Sequence, residues 1–200
     1  MTKSKKYRRQ KRSKAPVVLA VLVIIGILLS LVGYFGYGIY LDKSYPIKYQ
    51  NYVEKYSNEY GVDKYFVYAV IRTESGFRAD AVSQVGARGL MQIMEDTFDW
   101  IKFRMGDEET VYYDMFNPEL NIKYGCWLLA YLYNEFGSYE VAAAAYHAGR
   151  GNVNKWLDNP EYSSDGVHLD VIPIGDTAHY VSKITNAMDV YLRLYNKEDK

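Results

Sequence analysis

The sequence predicts an all-α chain in two parts, one membrane-crossing helix followed by a single helical domain, and three observations carry that prediction. Residues 17–41, VVLAVLVIIGILLSLVGYFGYGIYL, contain no charged side chain. Beyond them, apolar side chains recur at three- and four-residue spacing between glycine, proline and capping signals. No strand-like alternation of useful length and no internal repeat interrupts this pattern.

The uncharged run of 25 residues reaches roughly 37 Å as a helix, enough to cross a bilayer core of about 30 Å with some tilt. Its basic flank also suits a cleaved signal peptide. The run exceeds the usual 7–15 apolar residues, however, and no A-x-A cleavage site follows it, so an uncleaved anchor is the preferred reading. Eight Lys/Arg (Lys3, Lys5, Lys6, Arg8, Arg9, Lys11, Arg12, Lys14) and no acid lie in residues 1–14. That asymmetry puts the N-terminus in the cytoplasm and residues 42–200 outside, with Tyr34, Tyr37 and Tyr40 at the outer interface. The expected organisation is a basic cytoplasmic tail (1–16), a transmembrane helix (17–41), a short stalk (42–48) and one exported domain (49–200).

Within that domain, Tyr49–Tyr60 reads as a first helix with Tyr49, Tyr52, Val53, Tyr56 and Tyr60 along one side, ended by Gly61. Asp63 is placed to cap a second helix running to about Gly76, on which Val67, Val70, Ile71 and Glu74 share a face. A glycine-containing loop follows, then the apolar stretch LMQIM and a polar, aromatic excursion over residues 99–116. Asn117 and Pro118 start a long helix with Leu120, Tyr124, Trp127/Leu128 and Tyr131/Leu132 on one face until Gly137. Ser138 can cap the next helix, whose run Ala142–Ala145 permits close packing before Gly149 and Gly151 break it. After a loop from about Asp158 to Gly175, Asp176 can cap a last helix with Val181, Ile184, Met188, Leu192 and Tyr195 on its core face.

The chain of 200 residues is 49% hydrophobic and 16% aromatic, with 22 tyrosines, which excludes collagen-like and generally disordered classes. The formal net charge of zero hides a segregation, because the tail's eight basic residues leave an acid excess of eight in the rest. A nucleic-acid-binding main domain is therefore a poor fit. Cys126 is the only cysteine, so neither an intrachain disulfide nor a Cys-based zinc cluster can form. Its apolar setting, CWLLAYLY, suits a small buried side chain.

Glu74 is the outstanding acid. A carboxylate beside Val67, Val70 and Ile71 loses hydration, which raises its pKa toward the range of a general acid, although a glutamate at the edge of an amphipathic helix is the commoner meaning of such spacing. Asp63, Asp80, Glu95, Asp96, Glu119, Glu140 and Asp176 lie near turns or helix starts, where capping explains them. No second catalytic carboxylate stands out, whereas ordinary glycosidases usually need two.

Glu74-Ser75-Gly76-Phe77 is followed by Ser83 and by Gly86-Ala87-Arg88-Gly89-Leu90-Met91-Gln92-Ile93-Met94. Farther on come Ala144-Ala145-Tyr146-His147-Ala148-Gly149, Trp156-Leu157, Ile172-Pro173, Asp176-Thr177 and Tyr180-Val181. This set, in its order and spacing over about residues 50–195, resembles the lytic transglycosylase family of the lysozyme-like superfamily, related to soluble lytic transglycosylases and goose-type lysozyme.

The resemblance implies a lysozyme-like catalytic domain acting on peptidoglycan glycan strands without a cofactor or metal. Glu74 would be the sole acid/base. It would protonate the β-1,4 glycosidic oxygen between N-acetylmuramic acid and N-acetylglucosamine, then take the proton of the muramic C6 hydroxyl as that oxygen closes a 1,6-anhydro ring on C1. The resemblance assigns Ser83, Met91, Gln92, Tyr146 and His147 to substrate, with Met91 equally suited to core packing and the Tyr146 hydroxyl able to orient Glu74. Ser75 and Phe77 would support the glutamate, and Gly86 and Gly89 would let the loop approach its helix closely. The lipid bilayer would hold residues 17–41, and proteins of the cell-wall machinery are further candidate partners.

Three positions depart from the family pattern: His147 stands for asparagine, Glu95 for proline and Asp176 for glutamate. His147 would bring a charge that varies near neutral pH. His168 and His179 lack ligand spacing with it, so no metal site is implied. A hydrolytic muramidase of the same fold and a non-catalytic glycan-binding or wall-assembly protein are the alternatives. Phe98, Trp100, Phe103, Tyr112, Tyr113 and Phe116 suit either an extended sugar-stacking cleft or ordinary core and rim.

Overall fold

The computed structural model describes residues 15–196, with side chains from Val23 onward. Of the basic tail read from the sequence, residues 1–14 lie outside the described residues. The chain divides after Pro46 into two compact units.

In the first unit, α1 (Ala15–Ser44) carries the uncharged run. Its stretch Val23–Ser44 has a mean hydropathy of 1.9 and is long and apolar enough to cross a membrane. Tyr34, Tyr37 and Tyr40 lie exposed on its C-terminal half.

The second unit is built from helices. These are α2 (Gln50–Tyr60), α3 (Lys64–Glu74), α4 (Glu95–Met105), α5 (Pro118–Phe136), α6 (Tyr139–Ala148), α7 (Arg150–Leu157) and α8 (Gly175–Tyr195), with a 3-10 turn at Tyr112–Phe116. Among the described residues, β pairing is limited to two isolated antiparallel bridges, Val82 with Arg88 and Arg88 with Ile93.

Side-chain caps place three of the domain's seven α-helix starts. Asp63 accepts hydrogen bonds from the Tyr65 and Phe66 amides, Asn117 from those of Glu119 and Leu120, and Ser138 from that of Val141. Asp176 does not cap α8: the helix begins at Gly175 behind Ile174, leaving Asp176 in the first turn.

The center of the domain is α3. Every residue from Tyr65 to Ile71 is buried, because α8, α2 and α5 all pack against the helix. The single apolar face expected from Val67, Val70 and Ile71 is thus too narrow a description, and a helix apolar all round belongs in the interior. Around it, Ala142–Ala145 are buried where α6 meets α5 and α8. Cys126 is buried and free. On α8, Val181, Ile184 and Met188 are buried as expected, the face extends to Thr177, Tyr180, Ala187 and Tyr191, and Leu192 and Tyr195 are only half-buried.

Two helices exceed the sequence expectation. The excursion over 99–116 begins in the second half of α4, in which only Phe98 and Ile101 are buried, so its periodicity is faint. Acids in its first turn, Lys102 and Arg104 in its last, and a left-handed Gly106 define it instead. Stacking of Phe98 on Tyr124, with centroids 5.2 Å apart, ties α4 to α5. Beyond Gly149, α7 is anchored by only Val153 and Trp156 and includes Gly151, which does not break it.

Candidate active site

Glu74 is the last residue of α3, the most buried helix of the domain. The chain leaves the helix sharply, because Gly76 and Phe77 both take left-handed backbone angles, with φ of 59° and 66°. Phe77 is a rare residue to hold that conformation. Its ring is buried 6.4 Å from that of Tyr68, and packing fixes the turn. The buried Ser75 hydroxyl donates to the Leu90 carbonyl at 2.7 Å, tying the end of α3 to the loop opposite. Ser75 and Phe77, expected to support Glu74, hold the turn that follows it and contact Leu90 and Tyr68.

The loop over 81–94 is held almost entirely through its backbone. Ser83 Oγ accepts from the Ala87 amide at 3.0 Å, and Gln92 Nε2 donates to the carbonyls of Gly89 (2.8 Å) and Ala81 (3.1 Å). Both amide hydrogens of Gln92 are therefore committed within the loop, and its Oε1 is the atom left for a ligand. Gln92 itself has a left-handed φ of 48°.

Asn121, fully buried on α5, accepts from the Met91 amide at 2.8 Å. It donates to the carbonyls of Met115 (2.9 Å) and Arg88 (3.0 Å). Gly89 is needed for this clamp, since a Cβ there would collide with Asn121 and the Met115 carbonyl. The close approach expected of Gly86 and Gly89 toward the glutamate helix is corrected accordingly: Gly89 approaches α5, and Gly86 faces open space with a φ of 89° that closes a turn on Ser83.

Met91 lies fully buried, its sulfur occupying the room left by Gly125. The side chain is core in this structure, and its carbonyl accepts the Tyr146 hydroxyl at 2.7 Å. With that hydroxyl engaged, the orienting contact to Glu74 comes from elsewhere: Tyr180, 7% exposed on α8, donates to Glu74 Oε1 at 2.7 Å.

Burial pushes the Glu74 carboxyl up to about 7, and the hydrogen bond from Tyr180, which favours the ionised form, opposes that rise. No charged side chain among the described residues contributes to the shift. The hydroxyls of Tyr146 and Tyr180 are both held well above the ordinary phenol range by burial first and then by the charge of Glu74. They are neutral donors across the working pH range.

His147 stands exposed at the end of α6, with Nδ1 3.1 Å from the buried Thr177 Oγ1 and its ring 4.6 Å from that of Tyr180. Partial burial lowers its pKa, against the opposing pull of Asp176. The charge change expected near neutral pH is thereby displaced to the acid side. Among the described residues no group of His, Cys, Asp and Glu is placed to hold a metal ion.

The structure therefore links Ser75 to the Leu90 carbonyl, Tyr146 to the Met91 carbonyl, and Glu74 and His147 to Tyr180, while Ser83 and Gln92 brace the loop over 81–94. Two residues escaped the sequence reading. Tyr180 was legible as part of the Tyr180-Val181 segment but not as the partner of Glu74, 106 positions away. Asn121 could have been found as a polar side chain among Ile122, Tyr124 and Gly125 on a helix otherwise apolar at that height.

Residues 51–167 match the family model of the transglycosylase SLT domain. The soluble lytic murein transglycosylase of Escherichia coli K12 is 32% identical over 159 residues, covering 78% of this chain and 24% of that protein. The membrane-bound lytic murein transglycosylase C of Serratia proteamaculans is 32% identical over 178 residues, covering 77% of this chain and 49% of that protein. The crystal structure of an inactive glutamate-to-glutamine mutant of lytic transglycosylase Slt from Pseudomonas aeruginosa superimposes with a TM-score of 0.68 at 27% identity, covering 78% of this chain and 26% of that one. The chain spans a quarter to a half of the length of these relatives.

Proposed function

The chain belongs to the transglycosylase SLT domain family, and from that premise we propose that it is a membrane-anchored lytic transglycosylase that cuts peptidoglycan with Glu74 as its sole acid/base. The observation that carries this reading is the state of Glu74. A carboxyl raised by burial to about 7 keeps a large protonated fraction at neutral pH, as a general acid must. The same carboxyl, once ionised, is basic enough to recover a proton in the next step.

The first step is protonation of the β-1,4 glycosidic oxygen by Glu74, as the bond from muramic C1 to that oxygen breaks. The Glu74 carboxylate then takes the proton of the C6 hydroxyl on the same muramic residue, whose oxygen bonds to C1 and closes the 1,6-anhydro ring. The nucleophile belongs to the substrate, so proximity replaces the second carboxylate that activation of water requires. Tyr180 fixes the orientation of Glu74 and eases its ionised interval. The braced loop over 81–94 forms the opposite wall, where the Oε1 of Gln92 and the exposed edge of His147 are the polar groups offered to sugar. That the related Pseudomonas enzyme is inactive with one glutamate replaced by glutamine supports a mechanism resting on one acid.

On this reading residues 17–41 lie in the membrane, with the basic N-terminal tail (1–16) in the cytoplasm, 42–48 as stalk and 49–200 facing the cell wall. The tyrosines on the C-terminal half of α1 fit the outer interface.

The test is mass spectrometry of purified peptidoglycan digested by the full chain in detergent, against Glu74→Gln. The expected result is anhydromuropeptides from the wild type alone. Reducing muropeptides, heavier by one water, would make the protein a muramidase. Absence of any product from folded protein would leave glycan binding or wall assembly.

A further inference from the structure

Away from Glu74 and the loop over 81–94, the N-terminal halves of α2 and α3 and the end of α8 border a cavity of about 290 Å³. Its lining includes Ile47, Glu54, Lys64, Tyr65, Tyr68 and Tyr195. That volume lies just below the usual range of ligand pockets and suits a small molecule.

The group that sets this cavity apart is the Tyr68 hydroxyl. Tyr68 is 1% exposed, and among the described residues its hydroxyl has no hydrogen-bond partner. Buried polar groups are nearly always paired, because a donor left without an acceptor keeps its full desolvation penalty. Burial raises the Tyr68 pKa, and the groups that add to the rise, Glu54, Tyr65 and Tyr195, all line the cavity. The hydroxyl therefore lies on the cavity side of the ring. Packing fixes that orientation, since the ring stacks on Tyr191 with centroids 5.5 Å apart and lies 6.4 Å from Phe77.

Two opposite charges flank this donor. Lys64 holds its ammonium 5.2 Å from the center of the Tyr65 ring. Glu54 accepts from Gln50 through Oε1 at 3.0 Å, which leaves Oε2 for a ligand. Among the described residues neither Lys64 nor Glu54 forms an ion pair.

An unpaired phenol donor, an ammonium and a carboxylate select an occupant by charge. A simple anion would suit Lys64 and Tyr68 but meet repulsion from Glu54, and a metal cation would meet it from Lys64. An acyl chain would strand all three polar groups. A molecule carrying both charges answers each of them, with its carbon skeleton against Ile47 and Tyr195.

We infer that this cavity binds a small zwitterion, an amino acid or short peptide, whose carboxylate is held by Lys64 and the Tyr68 hydroxyl and whose ammonium faces Glu54. The site is separate from the glycan chemistry proposed for Glu74. It concerns binding alone, so its test is independent of cleavage.

The probes are alanine and alanylalanine, in L and D forms, titrated into the full chain in detergent micelles and followed by saturation-transfer NMR against empty micelles. At least one should bind with a Kd of about 1 mM or tighter, the scale for a ligand of so few atoms. N-acetylation, which removes the ammonium, and amidation, which removes the carboxylate, should each raise Kd about tenfold. Lys64→Gln and Glu54→Gln should do the same from the protein side. Tyr68→Phe deletes only the hydroxyl and should raise Kd about fivefold. Without ligand it should melt at least as high as wild type, because an unpaired buried donor is gone. Lys155→Gln is the control, since Lys155 is exposed on α7 outside the lining, and its affinity should match wild type.

No binding of any probe up to about 20 mM overturns the site. Equal binding of the acetylated and free forms, an unchanged Kd in Tyr68→Phe or in both charge variants, or an equal loss in Lys155→Gln does so too. A ligand-free Tyr68→Phe that melts clearly lower also overturns it, since the hydroxyl would then be satisfied by water rather than by a ligand. Should Tyr68→Phe fail to melt cooperatively, Lys64→Gln and Glu54→Gln carry the test. Preference for alanine assigns the site to free amino acids and preference for alanylalanine to peptides, and either keeps it.

Discussion

Glu74 and Asp107 each accept a hydrogen bond from a tyrosine, yet their environments drive them in opposite directions. Glu74 accepts from Tyr180 at 2.7 Å and Asp107 from Tyr124 at 2.8 Å. Asp107 also accepts from the Thr110 hydroxyl and from the amides of Thr110 and Glu109, which hold it well below the usual carboxylate range. Glu74 has burial without those donors and is pushed up to about 7. The same phenol donor thus accompanies a permanently ionised turn in one place and a proton-exchanging acid in the other. What separates them is the number of donors weighed against loss of water, not residue type or the presence of a tyrosine.

The sharpest way to break that contrast is to remove each charge in turn. Glu74→Gln should lower the rate of peptidoglycan cleavage by at least about a thousandfold, read as product released per unit time, because the proton donor and acceptor are one group. Its stability should move the other way. The folded pKa of Glu74 lies above its unfolded value, so the stabilising contribution of the protonated carboxyl is complete below the ordinary carboxyl range and is lost as pH rises through about 7. Glu74→Gln should therefore melt higher than wild type at pH 8, by about 1–2 kcal/mol, with the gap closing near pH 4. A variant that melts alike at both pH values would mean that Glu74 is not desolvated as the structure has it.

Tyr180→Phe sharpens the comparison by deleting only the tyrosine. The lost hydrogen bond favoured the carboxylate, so the pKa of Glu74 should climb further and the alkaline limb of the rate profile should move to higher pH. The maximal rate should fall about tenfold as Glu74 loses its orientation. A fall in rate with an unmoved limb would show that Tyr180 only fills space.

Asp107→Asn should leave chemistry alone and cost stability. The substituted amide has one oxygen in place of two, so it cannot accept both the Thr110 and Tyr124 hydroxyls held by Oδ2 and the Glu109 and Thr110 amides held by Oδ1, and a loss of about 1–2 kcal/mol is expected at pH 7, reduced by solvent at this half-exposed site. Because the folded pKa is depressed, that contribution is present above the ordinary carboxyl range and fades as pH falls through the folded value. Urea denaturation at pH 7 and at pH 3 reads the difference, which should shrink at the lower pH. A change in cleavage rate matching that of Glu74→Gln would erase the distinction between the two acids.

What the sequence could disclose follows the same physics. Helices with local punctuation were legible almost to the residue: Asn117-Pro118 and Gly137 bracket α5, and Ser138 opens α6. The catalytic candidate was legible through the Glu74-Ser75-Gly76-Phe77 block and the segments that follow it, whereas the apolar period around it was misjudged, since every residue from Tyr65 to Ile71 is buried. Elements resting on few buried side chains were hidden. Only Phe98 and Ile101 anchor α4, and only Val153 and Trp156 anchor α7. Hidden too was every pairing across distance. The partner of Glu74 sits on α8, and Asn121 grips a loop some 30 positions earlier in the chain. Spacing records which residues share a helix face, and it carries no information about which helix that face meets. Met91 and Tyr146 show this limit, their carbonyl and hydroxyl bonded to each other rather than turned to substrate or to Glu74.

His147→Asn, which restores the residue usual in the family, tests the finest part of the comparison, namely whether a third titratable group modulates the Glu74–Tyr180 pair. The imidazole lies against the Tyr180 ring and touches Thr177, and partial burial keeps it from charging near neutral pH. A neutral imidazole and an amide are alike as donors to the cleft, so between pH 6.5 and 8 the two proteins should cleave within about twofold of one another. On the acid side the imidazole takes up a proton, and a positive charge beside Tyr180 favours the Glu74 carboxylate, draining the acid form on which the first step depends. Wild type should therefore lose activity on acidification sooner than His147→Asn. Superimposable acid limbs would confine His147 to packing against Tyr180 and leave Glu74 governed by burial and a single phenol.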